Sequence, residues 1–90
     1  MALFGVIRDN DGDKAGGGGI GSPQQIFCRA EGYNIAILGE YVAGHGDHDP
    51  NQMIECSNIV KIGGIGICFA GNHAQCGDVA APGSSIVRTV

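Results

Sequence analysis

All three histidines and one of the four cysteines fall in two short stretches, Gly44-His45-Gly46-Asp47-His48 and Gly71-Asn72-His73-Ala74-Gln75-Cys76-Gly77. The first pair is spaced His-x-x-His and the second His-x-x-Cys, and both stretches are glycine-rich and loop-like. Two donors three residues apart can reach one ion from a single turn. Three imidazoles and a thiolate fill a tetrahedral zinc shell and leave no place for water. The spacing therefore predicts that His45, His48, His73 and Cys76 bind one Zn2+ that ties the two loops together. Such ligation suits zinc, although Fe(II), Ni(II) or copper accept similar donors.

A closed shell implies a structural ion, so the chain is expected not to be an enzyme. A catalytic alternative makes one histidine a bystander and Asp47 or Glu40 the base for a zinc-bound water. No second acid–base constellation accompanies it. Asp47, Asp49 and Asp78 adjoin the ligands and could orient imidazole N–H groups. Cys28 and Cys68 lie among Ile and Phe, where a thiol behaves as a small buried hydrophobe. The sequence leaves a Cys56–Cys68 disulfide open. A redox or metal-sensing module would instead need exposed, low-pKa cysteines outside the histidine loops.

Something must carry the two loops to one point. Ninety residues make a single domain, 1–90, with a small core that often needs a staple. Seventeen glycines raise the entropic cost of folding, and only Phe4, Phe27, Phe69, Tyr33 and Tyr41 offer aromatic bulk. Metal binding in such a chain acts as folding free energy. A net charge of −4 with five scattered basic residues argues against nucleic acid and against an anionic membrane surface. No apolar run approaches the roughly 20 residues of a membrane span. The N-terminus lacks the basic flank and apolar core of a signal peptide, so the chain is expected to be made in the cytoplasm with its cysteines as thiols or ligands.

Residues 1–8 read as a short strand, and 9–19 as a solvated loop. The acids at 9, 11 and 13 do not make a calcium loop, because Lys14 stands where Gly is needed and Ile20 where Glu is needed. The glycines 16–19 lack the Gly-Lys-Ser/Thr of a phosphate-binding loop. Beyond them a unit recurs. A small polar opening leads into a β-branched strand, a glycine turn and a second strand that closes on Gly plus a polar residue. The first copy is Gly21–Cys28 with Glu31–Glu40, and the second is Cys56–Ile62 with Gly63–Asn72. A third begins at Gly83 and runs to Val90. Each complete unit reads as a β-hairpin opening into a histidine loop. No window carries helical periodicity free of Gly or Pro, so the fold is expected to be all-β.

These units resemble PAAR-repeat proteins, whose pattern is Gly-Ser-x-x-Val-x-x-x-Gly-x-Pro-Ala-Ala-Arg-x-Gly-Asp. The matching stretches are Gly32–Glu40 and Gly64–Asn72, with serine openings at Ser22, Ser57 and Ser84. Ile7-Arg8-Asp9 resembles the end of a truncated first repeat. The Pro and Arg of the motif are absent, and Gly-Asp is Gly39-Glu40 and Gly71-Asn72 here. The resemblance implies a conical β-domain of three hairpin-like repeats with pseudo-threefold symmetry and a zinc-pinned apex. It implies one monomer capping a trimeric β-helical spike, in a phage tail tip or a type VI secretion spike. The cap would sharpen the spike, touch the target membrane transiently and bind no small-molecule substrate. With no appended domain in the 90 residues, a bare tip is expected.

Overall fold

The computed structural model describes residues 3–9, 12–21 and 25–90. Among them lie eleven strands of two residues each and no helix: β1 (Phe4–Gly5), β2 (Lys14–Ala15), β3 (Gly18–Gly19), β4 (Arg29–Ala30), β5 (Tyr33–Asn34), β6 (Tyr41–Val42), β7 (Asn51–Gln52), β8 (Lys61–Ile62), β9 (Ile65–Gly66), β10 (Ala80–Ala81) and β11 (Arg88–Thr89). They pair antiparallel as β1-β11, β10-β2-β3, β4-β5, β6-β7 and β8-β9. The fold is all-β.

Two of these ladders are hairpins closed by two-residue turns in which both residues have positive φ, Glu31-Gly32 (+53° and +87°) and Gly63-Gly64 (+59° and +85°). That conformation matches the twist of the flanking strands. The third ladder has no turn. Its halves come from distant parts of the chain, with Phe4 opposite Thr89 and Gly5 opposite Arg88. The third copy of the repeat thus finds its missing strand in residues 4–5.

Each ladder continues into a strand that bonds to the next. The amide of Ile7 donates to the Cys68 carbonyl, that of Cys68 to Ala36, and that of Ala36 to Ile7, at 2.9–3.0 Å. Asp9→Asn34, Leu38→Gly66 and Ala70→Gly5 close a second ring of the same kind. Turns meet these ring strands where they begin. The Ile35, Ile67 and Val6 amides donate to the carbonyls of Cys28, Val60 and Val87. Each turn is fastened by one polar side chain that accepts two amides: Gln25, Ser57 and Ser84. Serine was expected at all three openings. Ser22 lies outside the described residues, and Gln25 does this work in the first turn.

Where the ring strands end, Asp13, Glu40 and Asn72 fold back to accept the amides of Arg8, Ile37 and Phe69. Their own carbonyls receive the Ile20, Met53 and Ala80 amides. The histidine loops lie beyond this point, so turns and loops leave opposite ends of the ring strands. The larger of two buried clusters holds nine residues in three triplets: Ile7, Ala36 and Cys68; Ala15, Val42 and Ala74; Ile20, Met53 and Ala80. Val6, Ala30, Ile35, Ile37 and Ile67 form the other.

Two expectations need correcting. The described residues of 9–19, which exclude positions 10 and 11, are not a solvated loop: Asp9 and Asp13 are buried, and β2 and β3 form a hairpin across Gly16-Gly17. At Gly16 and Gly18 this hairpin passes too close to Asp78 and to Ala43 and His45 to carry side chains. Cys28 is exposed, since it ends a turn rather than lying in a strand, whereas Cys68 is fully buried. All four cysteines are free. Burial pushes the Cys68 thiol well above its ordinary value, helped by neighbouring Cys56.

Asp9 has an unusual environment. Both its carboxylate oxygens are buried with no donor among the described residues. Burial raises its pKa, and the adjoining Glu40 carboxyl partly offsets that rise. The folded state therefore holds this proton more tightly than the unfolded state does. The associated stability is complete below the ordinary aspartate range and is lost as pH rises through the raised value. Asp9→Asn supplies a permanent donor to Glu40. It is expected to stabilise the protein at pH 7 by on the order of 1 kcal/mol, read as a higher urea midpoint. The gain should vanish near pH 3.5, where Asp9 is protonated anyway.

Candidate metal centre

Alternation along the backbone decides which donors converge. In Asn72-His73-Ala74 the outer two residues are buried and His73 is exposed, as strand periodicity requires. Its ring turns outward to Glu55, whose carboxylate accepts both the His73 amide (2.6 Å) and Nδ1 (2.7 Å). Those bonds hold the Glu55 carboxyl below its usual range.

His45 and His48 pair across their own tight turn, each amide donating to the other's carbonyl at 3.0 and 2.8 Å. Both rings therefore stand on one side, 4.9 Å apart and nearly perpendicular. The His45 Nδ1–H donates to the Ala43 carbonyl (3.0 Å), which leaves Nε2 facing the cluster. Across from them Cys76-Gly77-Asp78 returns, its Cys76 amide donating to Asn51 Oδ1 at 3.3 Å. Asp78 Oδ2 then lies 2.6 Å from His45 Nε2, 3.0 Å from His48 Nδ1 and 3.6 Å from Cys76 Sγ, with 3.2 Å between the two ring nitrogens.

One donor atom from each of His45, His48, Cys76 and Asp78 thus lies within 4.8 Å of the others, and these four could hold a metal ion. Four donors about 2.0–2.3 Å from a tetrahedral cation are separated by roughly 3.3–3.7 Å. The Asp78 contacts and the ring-nitrogen pair, at 2.6–3.6 Å, lie at or inside that spacing, and all four donors lie within 4.8 Å of one another. The chemistry agrees. Once His45 Nδ1–H is committed to Ala43, Nε2 and the Asp78 oxygen are two electron-pair donors in contact, a pairing that needs a proton or a cation between them. Without a metal, the Ala43 carbonyl and the Asp78 carboxylate raise the pKa of His45, and His45 in turn lowers that of Asp78. A cation placed there would meet two neutral imidazoles, a thiolate and a carboxylate.

Of the four expected ligands the structure brings together His45, His48 and Cys76. It places His73 elsewhere and puts Asp78, expected only as an orienting partner, among the donors. Asp47 and Asp49 are exposed and make no side-chain bond to the rings among those described. The clue to Asp78 in the sequence is Cys-Gly-Asp, where a flexible residue lets neighbours two apart face the same way. Also missed was the glycine hairpin. A Cβ on Gly16 would overlap the Asp78 carboxylate, and one on Gly18 would overlap the Ala43 carbonyl and crowd His45 Nδ1. The 16–18 backbone is the wall of the cluster. No protein-family model matches this chain, and no curated protein matches it either.

Proposed function

We propose that this protein is a structural tip, a PAAR-like cap on the blunt end of a trimeric β-helical spike, with zinc pinning its point. Three equivalent ladders, two closed rings of backbone bonds and a core of triplets support pseudo-threefold symmetry. The observation that carries the proposal is at the other end from the metal loops. Phe27, Ile59 and Ile86 occupy the same place in the three side-chain-fastened turns, and they are 86%, 70% and 74% exposed. Large apolar side chains repeated three times in solvent are costly unless a partner covers them. A trimer offers three identical pockets to three such tips. Its terminal strand edges would also be protected by a bound cap.

One monomer then sits on one trimer, with the histidine loops pointing away as the apex of a cone. The task is mechanical. The cap closes and sharpens a spike driven through a target envelope, in a phage tail or a type VI secretion apparatus, and meets the membrane only in passing. Zinc supplies rigidity where the domain is too narrow for an apolar core.

The test is to mix the protein with a trimeric β-helical spike protein and measure mass by native mass spectrometry. One monomer per trimer is expected. Phe27→Asp, Ile59→Asp and Ile86→Asp together should weaken that complex at least 100-fold, since each tip contributes about 1.5–3 kcal/mol of apolar burial. The monomer's melting temperature should stay nearly unchanged, because the tips are largely exposed in it. Failure of the unaltered protein to bind would overturn the proposal.

A further inference from the structure

The geometry points to a coordination set of His45, His48, Cys76 and Asp78, with His73 outside it. This rests on the proposal that the loops bind a divalent cation, and it names the donors. Three observations carry it. Asp78 Oδ2 touches all three other donor atoms, whereas His73 is fixed by two bonds to Glu55. His73 also lies in a bridge with Val79, so turning its ring inward would mean reversing the alternation that buries Asn72 and Ala74. Finally, Gly16 leaves room for the Asp78 carboxylate where any other residue would displace it.

Charge favours the same set. A thiolate and a carboxylate balance a dication, whereas three imidazoles and one thiolate leave a net positive charge in a partly buried site. The His45 side chain is 13% exposed and that of Asp78 30%, so the balance matters here.

Cobalt(II) is a suitable probe because its visible and near-ultraviolet bands report the donors directly. The full chain, His73→Gln, Asp78→Asn and Asp78→Cys are each titrated with Co2+ and back-titrated with Zn2+. His73→Gln should leave stoichiometry and spectrum unchanged and affinity within about twofold. Asp78→Asn should weaken binding by more than the roughly 10–100-fold that loss of an orienting partner costs. Asp78→Cys should restore binding and add a second thiolate charge-transfer band, which only a residue touching the metal can do. If His73→Gln instead shifts the visible bands and weakens binding tenfold, while Asp78→Cys adds no band, the assignment is overturned. If the unaltered chain takes up no cobalt or zinc, the metal proposal itself fails, and the two failures are distinguishable.

Discussion

Stripping the purified protein with a chelator is expected to lower its melting temperature by on the order of 20 °C, and added zinc should restore it. A ligand that binds only the folded state, at a free concentration a thousandfold above its Kd, stabilises by about 4 kcal/mol. In a domain of this size each kcal/mol moves Tm by roughly 4–8 °C. The effect should be large because the cluster joins the loop between β6 and β7 to the segment before β10. Without the ion, two nitrogens, a thiol and a carboxylate must share protons instead. An unchanged melt, with no metal detected by mass spectrometry, would remove the pin from the fold.

Arg8→Met is expected to cost about 3–5 kcal/mol, the usual penalty for removing one partner of a buried ion pair. Arg8 grips Asp13 through Nε (3.0 Å) and Nη2 (3.1 Å) and bonds Glu31 through Nη1. The Asp13 side chain is fully buried and also receives the Gly83 amide, while Glu31 accepts the Ser84 hydroxyl. One guanidinium thus fastens the first hairpin and the third turn to the strand that closes the ring. It also stabilises the positive φ of Glu31. The other two ring strands carry Ile37 and Phe69 at this place, with Glu40 and Asn72 respectively in place of Asp13. Arg8→Phe combined with Asp13→Asn copies the latter arrangement and should recover more than half of the loss in a urea titration. Equal destabilisation by the single and double variants would show that the charge pair is not the cause.

Much of this was legible in the sequence because the repeats share one grammar. Ser57 and Ser84, Gly63-Gly64, and the Ile-x-Ile runs mark turn, hairpin and ring strand directly. The first unit was harder, since its turn uses Gln25 in place of serine and its polar cap, Asp13, lies two residues further along than Glu40 and Asn72. That insertion made residues 9–19 look like loop. The site was half legible. Spacing alone put His73 and Cys76 on the same ion, but three residues along a strand-like segment turn a side chain outward, not inward. Only the register of His73 opposite Val79 reveals that. The part played by Gly16 and Gly18 depends on which loop lies behind them, a tertiary fact with no local trace.

The pairing of Phe4 with Thr89 has a consequence for how the molecule is made. Residues 4–9 are synthesised before their partners, which are Ala36, Cys68 and the strand at 88–89. Contacts so distant in sequence carry a loop-closure cost that is met before any of them is repaid, and they slow folding. Until the strand at 88–89 is synthesised, Phe4, Gly5 and Val6 have an open edge that invites other chains. A chain cut before Ser84 would keep the residues of both backbone rings but lose the third turn and the partner strand of β1.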